Sequence, residues 1–197
     1  MNFRTLKSTV KTTLFTALVA ASLLAAAPAF AQQKLVPAQS EIAFSVKQMG
    51  VPVSGKFRKF DATINFDAAK LDTSKISFTV DLGSVTMGSP EPDTELPKAT
   101  WFNAAKFPQA TFVSSTVKAL GSGKYEVAGK LMIKGSSRDV VVPVAMTQAA
   151  GLTTATSVLP IERLAFKIGE NEWADTSMVA DDVQIKFKFA LAGVGKV

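Results

Sequence analysis

The sequence predicts an all-β protein, an eight-stranded antiparallel barrel with one short helix. Apolar and polar residues alternate with a period of two along most of the chain, as expected for strands with one buried face. Glycine-rich turns separate the alternating segments at short intervals, which favours hairpin connections. Closure of such a meander into a barrel removes the exposed edges that an open sheet would leave.

Eight segments carry this strand character. A bulge is expected near Gly55, because glycine inside a strand pattern often marks one. Pro143 indicates an edge or bulged position, because proline cannot donate to a strand ladder. The predicted strands cover residues 42–47, 53–67, 76–82, 110–119, 125–133, 139–147, 156–168 and 183–189.

Residues 86–108 break the alternation and predict a long loop. Asp93 is of a type that caps helices, so we expect it to begin a short helix that includes Trp101 and Phe102. Prolines on both sides limit the length of that helix.

The amino terminus has the organisation of an export signal. Three basic residues precede an apolar run over residues 14–27, and the small-residue triplet Ala29-Phe30-Ala31 follows. The run is shorter than the about 20 residues that span a bilayer. We therefore expect residues 1–31 to be a cleaved signal peptide, residues 32–197 to be the mature domain, and the protein to be periplasmic. Cleavage would lower the formal net charge from +6 to +3.

Composition argues against several functions. The chain has no cysteine, which excludes disulfides and thiol catalysis. It also has no histidine, the most usual general base near neutral pH and the commonest metal ligand. The basic residues are scattered and there is one tyrosine, so we expect no nucleic-acid partner.

No motif predicts a catalytic or metal site. Ser115 and Lys118 have the spacing of a penicillin-binding nucleophile motif, but on a strand their side chains point to opposite faces. The acidic residues within 170–182 do not match a calcium loop. The methionines have no histidine or cysteine with which to bind copper.

The inward-facing residues of the predicted barrel are mostly isoleucine, valine, leucine and phenylalanine. An eight-stranded barrel either fills its interior with side chains or leaves room for one small ligand. Alternation alone leaves both outcomes open. A cavity with this lining would bind an apolar molecule.

An ordered series of short motifs from about Gln39 to Leu191 resembles the YceI-like family of exported, lipocalin-like, polyisoprenoid-binding proteins. One departure concerns Gln48, because many relatives carry a histidine at that position. The motifs are Ser40-x-Ile42-x-Phe44-x-Val46, Met49-Gly50, Val53-x-Gly55-x-Phe57-x-x-Phe60, Ser84-Val85-x-x-Gly88, Asp93-x-x-Leu96, Trp101-Phe102, Phe107-Pro108-x-Ala110-x-Phe112, Gly129-x-Leu131-x-Ile133-Lys134-Gly135, Arg163-x-x-Phe166, Trp173 and Asp182-Val183-x-Ile185.

The resemblance implies a lipocalin-like barrel whose internal apolar tunnel holds a polyprenyl chain, as in an isoprenoid quinone or a prenyl phosphate. The expected function is that of a soluble periplasmic lipid-binding protein, with a bound isoprenoid lipid and no catalytic cofactor. The resemblance is compatible with a homodimer and with transient membrane contact. Burial of each methylene contributes about 0.8 kcal/mol, so a long tail could bind without polar recognition.

Three groups of candidate site residues follow from the alternation and the motifs. Trp101, Phe102 and Trp173 would line the tunnel entrance or plug it. Arg163 would form a buried ion pair, for which Asp182 is the candidate partner, or would hold a ligand head group. The expected cavity lining is Ile42, Phe44, Val46, Phe78, Val80, Phe112, Leu131, Ile133, Phe166, Ile185 and Phe187.

Two other functions compete with lipid binding. The alternation also fits a small outer-membrane barrel, but strand lysines such as Lys186 and Lys188 would each cost about 2–4 kcal/mol if they faced lipid at mid-bilayer. An enzyme on this scaffold would need a carboxylate such as Asp81 or Asp93 as acid or base. No pair of acidic residues shares an apolar face, which disfavours the enzyme.

The export signal yields a direct prediction. We expect the mature protein to begin at Gln32, because cleavage follows the small-residue triplet. Intact-mass spectrometry of protein recovered from the periplasm of its host, or of a Gram-negative expression host, tests this. A mass that includes residues 1–31 would contradict it.

Overall fold

The computed structural model describes residues 33–197, so the predicted signal peptide lies outside the described residues. This part of the chain forms one antiparallel sheet of eleven strands with one α-helix, α1, at Pro90–Glu95. The strands are β1 (Lys34–Leu35), β2 (Glu41–Gln48), β3 (Val51–Phe57), β4 (Phe60–Asn65), β5 (Lys75–Asp81), β6 (Val85–Thr86), β7 (Gln109–Gly121), β8 (Lys124–Ile133), β9 (Ser136–Ala149), β10 (Leu152–Glu162) and β11 (Val179–Ala192).

The strands follow one path, β4-β5-β7-β8-β9-β10-β11-β2-β3-β6, and the sheet curls around an apolar interior. β1 pairs with β11 off this path. Gln33, just before β1, donates from Nε2 to the carbonyl oxygen of Phe66 (2.6 Å) and accepts from its N–H at Oε1 (2.8 Å). The amino-terminal segment therefore joins β11 to the chain that leaves β4, the first strand of the path.

The predicted all-β antiparallel class with one short helix is confirmed, but the structure has eleven strands instead of eight. Two of the additional strands, β1 and β6, contain two residues each, too few to show a period. The third arises at Arg58, where the segment predicted as one bulged strand over 53–67 divides into β3 and β4.

The position of Pro143 agrees with its chemistry. Pro143 lies opposite Glu126 of β8, but β9 pairs with β10 only over Ala145–Ala149. The proline therefore lies on a locally free edge, where its missing N–H costs no ladder hydrogen bond.

The predicted helix is misplaced. α1 begins after Ser89 and ends at Glu95, so Trp101 and Phe102 lie in the turns that follow it. Asp93 is inside the helix and accepts from Thr86 Oγ1 and Met87 N–H, so it ties α1 back to β6 instead of capping the first turn. Pro90 provides the fixed backbone angle that suits a helix start.

Two glycines let phenylalanine rings pack directly against the wall of the sheet. A Cβ atom at Gly55 would lie 2.4 Å from Cζ of Phe44, and one at Gly129 would lie 2.6 Å from Cζ of Phe112. Real side chains do not approach so closely, so a larger residue would push either ring toward the interior. The glycines of two sequence motifs thus help to keep the interior open.

Within residues 33–197, no helix has both the length and the apolar composition that crossing a membrane would require.

Candidate functional site

The curled sheet encloses a cavity of about 760 Å³, within the usual range for small-molecule sites. Its wall is formed by the inward side chains of β2 to β5 and β7 to β11, with further residues from α1 and the loops around it. Most of the lining is aliphatic or aromatic. The polar lining residues are Gln48, Ser54, Ser89, Glu91, Glu95, Tyr125 and Arg163.

The structure brings nearly all of the predicted lining residues together. They lie on alternate positions of β2, β5, β7, β8 and β11, so the period of two identifies the inward face. Those that line the cavity are Ile42, Phe44, Val46, Phe78, Val80, Phe112, Leu131, Ile133, Ile185 and Phe187.

Phe166 is the exception. The prediction extended one strand through Ile168, but β10 ends at Glu162 and the chain turns through a 3₁₀ segment, Leu164–Phe166. The alternation is lost there. Phe166 is buried outside the cavity wall, with the guanidinium of Arg138 6.0 Å from its ring centroid.

Other lining residues were missing from the prediction. Several continue the same alternation, among them Tyr125 and Val127 on β8 and Val142 on β9, so a longer count along each strand would have found them. Glu91 and Glu95 follow no strand period, and only the three-dimensional path of α1 brings them to the cavity.

The cavity has one exposed end and one closed end. Four lining residues are themselves exposed and mark the mouth: Ser54 on β3, Ser89 just before α1, and Glu91 and Glu95 on α1. At the other end, Phe66 and Tyr125 pack edge to face with ring centroids 5.2 Å apart, and both are buried.

The three predicted entrance residues all line the cavity. The rings of Trp101 and Trp173 are in contact, with centroids 5.3 Å apart, and both residues are half-buried. Phe102 is buried and packs edge to face on Phe57, at 5.7 Å. The tryptophans thus form part of the rim, and Phe102 closes the wall beneath it.

Arg163 holds the loops of this rim together. Its side chain is among the most deeply buried of the described residues, with 2 % of the residue exposed, and all five of its N–H groups donate to backbone carbonyl oxygens. The acceptors are Ala180 (3.0 Å) for Nε, Ile168 (2.8 Å) and Gly169 (3.1 Å) for Nη1, and Trp173 (2.7 Å) and Val179 (2.6 Å) for Nη2.

A bulge in β11 explains two of these bonds. Three residues of β11, 180–182, stand opposite one residue of β2, because Val179 pairs with Gln48 and Val183 pairs with Val46. A bulge disrupts the ladder and leaves carbonyl groups without strand partners. Arg163 supplies donors to Val179 and Ala180 at this point.

The predicted ion pair between Arg163 and Asp182 is absent from the described residues. Asp182 is exposed and forms no ion pair with Arg163 among the described residues. The carboxylate that acts on the guanidinium is Asp181, whose charge opposes the lowering of the Arg163 pKa by burial. Because every N–H of Arg163 is used, none remains for a ligand head group.

Lys134 makes a second buried contact between the loops. Its side chain is 4 % exposed, and Nζ donates to Glu170 Oε2 (2.8 Å) and to the carbonyl oxygens of Lys167 (2.6 Å) and Thr100 (3.3 Å). The hydrogen bond and the charge of Lys134 lower the pKa of Glu170. Glu170 therefore stays ionised at neutral pH and keeps this link intact.

The carboxylates considered as catalytic groups have structural contacts. Asp81 accepts from the N–H of Gly83 at the end of β5 (2.9 Å). The hydrogen bonds from Thr86 and Met87 lower the pKa of Asp93, which disfavours proton donation near neutral pH. Neither residue belongs to the cavity lining.

A curled antiparallel sheet around a single-mouthed apolar cavity defines a class of protein that encloses a small apolar ligand. A model of the YceI-like domain matches residues 33–191. The chain therefore belongs to the YceI-like family.

Curated relatives and solved structures are also similar to this chain in sequence or in fold. A UPF0312 protein of Shewanella baltica is 35% identical over 137 residues, 68% of this chain and 72% of that protein. The structure of Burkholderia cenocepacia BcnA has a TM-score of 0.77 and 44% identity, covering 80% of this chain and 99% of that one. A polyisoprenoid binding domain from Saccharophagus degradans shares the fold, with a TM-score of 0.65 and 15% identity over 82% of this chain and 98% of that one.

The hydrogen bonds of Arg163 predict a large loss of stability on substitution. Arg163→Lys keeps the charge but supplies fewer donors, so buried carbonyls lose their partners. We expect the free energy of unfolding to fall by about 3–5 kcal/mol, as when one partner of a buried charged contact is removed. Urea denaturation followed by tryptophan fluorescence measures this.

Arg138→Lys is the matched control, because Arg138 is exposed. Its effect should stay below about 1 kcal/mol. Equal stability of the two variants would show that the carbonyl contacts of Arg163 do not hold the rim.

Proposed function

We propose that this protein binds a polyisoprenoid lipid in the cavity and carries or stores it in an aqueous compartment. The proposal rests on one observation: the cavity is both deep and lined mostly by apolar side chains. It extends from a mouth at Glu91 to a closed end at Phe66 and Tyr125. A flexible, branched hydrocarbon chain matches such a space. The fold shared with a polyisoprenoid binding domain supports the same class of ligand.

The binding energy would come from the tail. About ten buried carbons, two isoprene units, would contribute about 8 kcal/mol at about 0.8 kcal/mol each. That equals the free energy of a Kd of about 1 μM, before the costs of association are subtracted. Longer tails would bind more tightly until the closed end of the cavity stops them.

The polar lining favours an uncharged head group such as a quinone. Arg163 is the one cation in the lining, and its N–H groups are already occupied. Glu91 and Glu95 line the mouth and would repel a phosphate. Gln48 offers a neutral amide that could donate to a quinone oxygen.

An exported, periplasmic location completes the proposal. The amino-terminal signal supports it, and a compartment bounded by membranes is where a lipid tail needs a protein to cross water. The protein then acts by binding, without catalysis.

The closed end of the cavity sets the length of tail that fits. Ala155 lines this end, opposite Met146 of β9 and Phe189 of β11. Ala155→Phe should fill the end with apolar atoms and keep the fold, while reducing the longest polyprenyl tail that binds. A series of isoprenoid quinones of increasing tail length, titrated with tryptophan fluorescence, measures this.

The outward-facing neighbour provides the control. Thr156 is exposed, so Thr156→Phe should leave the dependence on tail length unchanged. If Ala155→Phe binds every tail as well as the wild type does, the ligand does not occupy this cavity.

A further inference from the structure

Three apolar side chains lie exposed at the mouth end of the barrel. Met49 is 65% exposed, Val51 62% and Met178 40%. Met49 and Val51 belong to the β2–β3 hairpin, and the N–H of Met49 donates to the carbonyl oxygen of Met178 (2.8 Å). We name these three residues the tip patch.

The backbone makes Met49 an unusual choice. Met49 and Gly50 have φ angles of 47° and 79° and form the two-residue turn of the hairpin. Asparagine, aspartate and glycine suit such a turn, because a larger side chain is disfavoured at positive φ. The other non-glycine residues with positive φ in 33–197 are small or polar: Asn103, Ser122, Lys134, Ala150, Lys167 and Asn171.

Met49 therefore costs stability through its backbone, and its exposed side chain gains no burial in return. Residues that are locally unfavourable and yet present occur preferentially where function requires them. A flexible, polarisable methionine suits a surface that must adapt to an apolar partner.

The tip patch borders the cavity. Gln48, which precedes Met49, lines the cavity and pairs with Val51 on one side and with Val179 on the other. Val179, next to Met178, also lines the cavity. The tip patch thus adjoins the inner wall through Val179, which is apolar, and through Gln48, which carries no charge.

We propose that the tip patch is the surface that contacts a lipid bilayer while a prenyl tail enters or leaves the cavity. This inference rests on the proposed function. The continuity of patch and cavity favours a bilayer as the partner, because the tail could then pass between two apolar environments without crossing water. Lys47 lies two residues before Met49, and the backbone oxygen of Asp175 accepts from the N–H of Met178 (3.2 Å). Both residues are exposed, so charges of both signs flank the patch and the contact is apolar rather than electrostatic.

The test compares transfer with binding. Phosphatidylcholine vesicles loaded with an isoprenoid quinone are mixed with the protein, and the quenching of tryptophan fluorescence gives the transfer rate. Met49→Asn, which suits the turn, should slow transfer about tenfold by removing one apolar anchor. Its affinity for the same quinone delivered in detergent micelles should equal that of the wild type.

Leu120→Asn is the matched control. Leu120 is 59% exposed near the tip of the β7–β8 hairpin, beside the closed end of the cavity, so its substitution should not change transfer. The wild-type rate should also be insensitive to added salt.

Two results would overturn the inference while leaving the proposed function in place. In the first, the quinone passes from vesicles to Met49→Asn as fast as to the wild type, which is expected if the patch binds a protein partner instead of a bilayer. In the second, quinone transfer requires anionic lipid and its rate falls sharply when salt is added. A wild-type protein that takes up no quinone from micelles would remove the proposed function itself.

Discussion

The apolar inner face of the sheet is the constraint on which the rest of the structure depends. Backbone hydrogen bonds fix the spacing of the strands, and Gly55 and Gly129 let two phenylalanine rings pack directly against the wall. The inward side chains therefore line the interior without filling it, and about 760 Å³ remains. Water gains few hydrogen bonds in such a space, so an apolar occupant is favoured over water.

The mouth of the cavity requires a different kind of interaction. Irregular backbone must cover the end of the barrel, and its carbonyl groups need donors. Arg163 and Lys134 provide these donors from buried positions, so their hydrogen bonds hold the segments around Trp101 and Trp173 in place. The two cations therefore stabilise the loops that shape the mouth, and the cavity lining remains mostly apolar.

The sequence allowed the long strands to be predicted, and ten of the eleven residues predicted to line the cavity do so, because a period of two is a local property of each long strand. It did not reveal where strands end. Phe166 was misplaced because β10 stops at Glu162, and α1 was misplaced because Asp93 bonds back to β6. The role of Arg163 was also inaccessible, because its partners are backbone carbonyls whose positions depend on a bulge in β11 and on loop conformation. Every residue has a backbone carbonyl, so the residue types along the sequence do not show which carbonyls will accept from Arg163.

The most direct test of the central claim is to identify what the cavity contains. Protein purified without detergent from its native host would be analysed by native mass spectrometry, followed by organic extraction and mass spectrometry of the extract. The account predicts a stoichiometric adduct whose mass is that of a neutral polyprenyl lipid and which disappears on extraction. An empty protein that also fails to take up isoprenoid quinones would contradict the account.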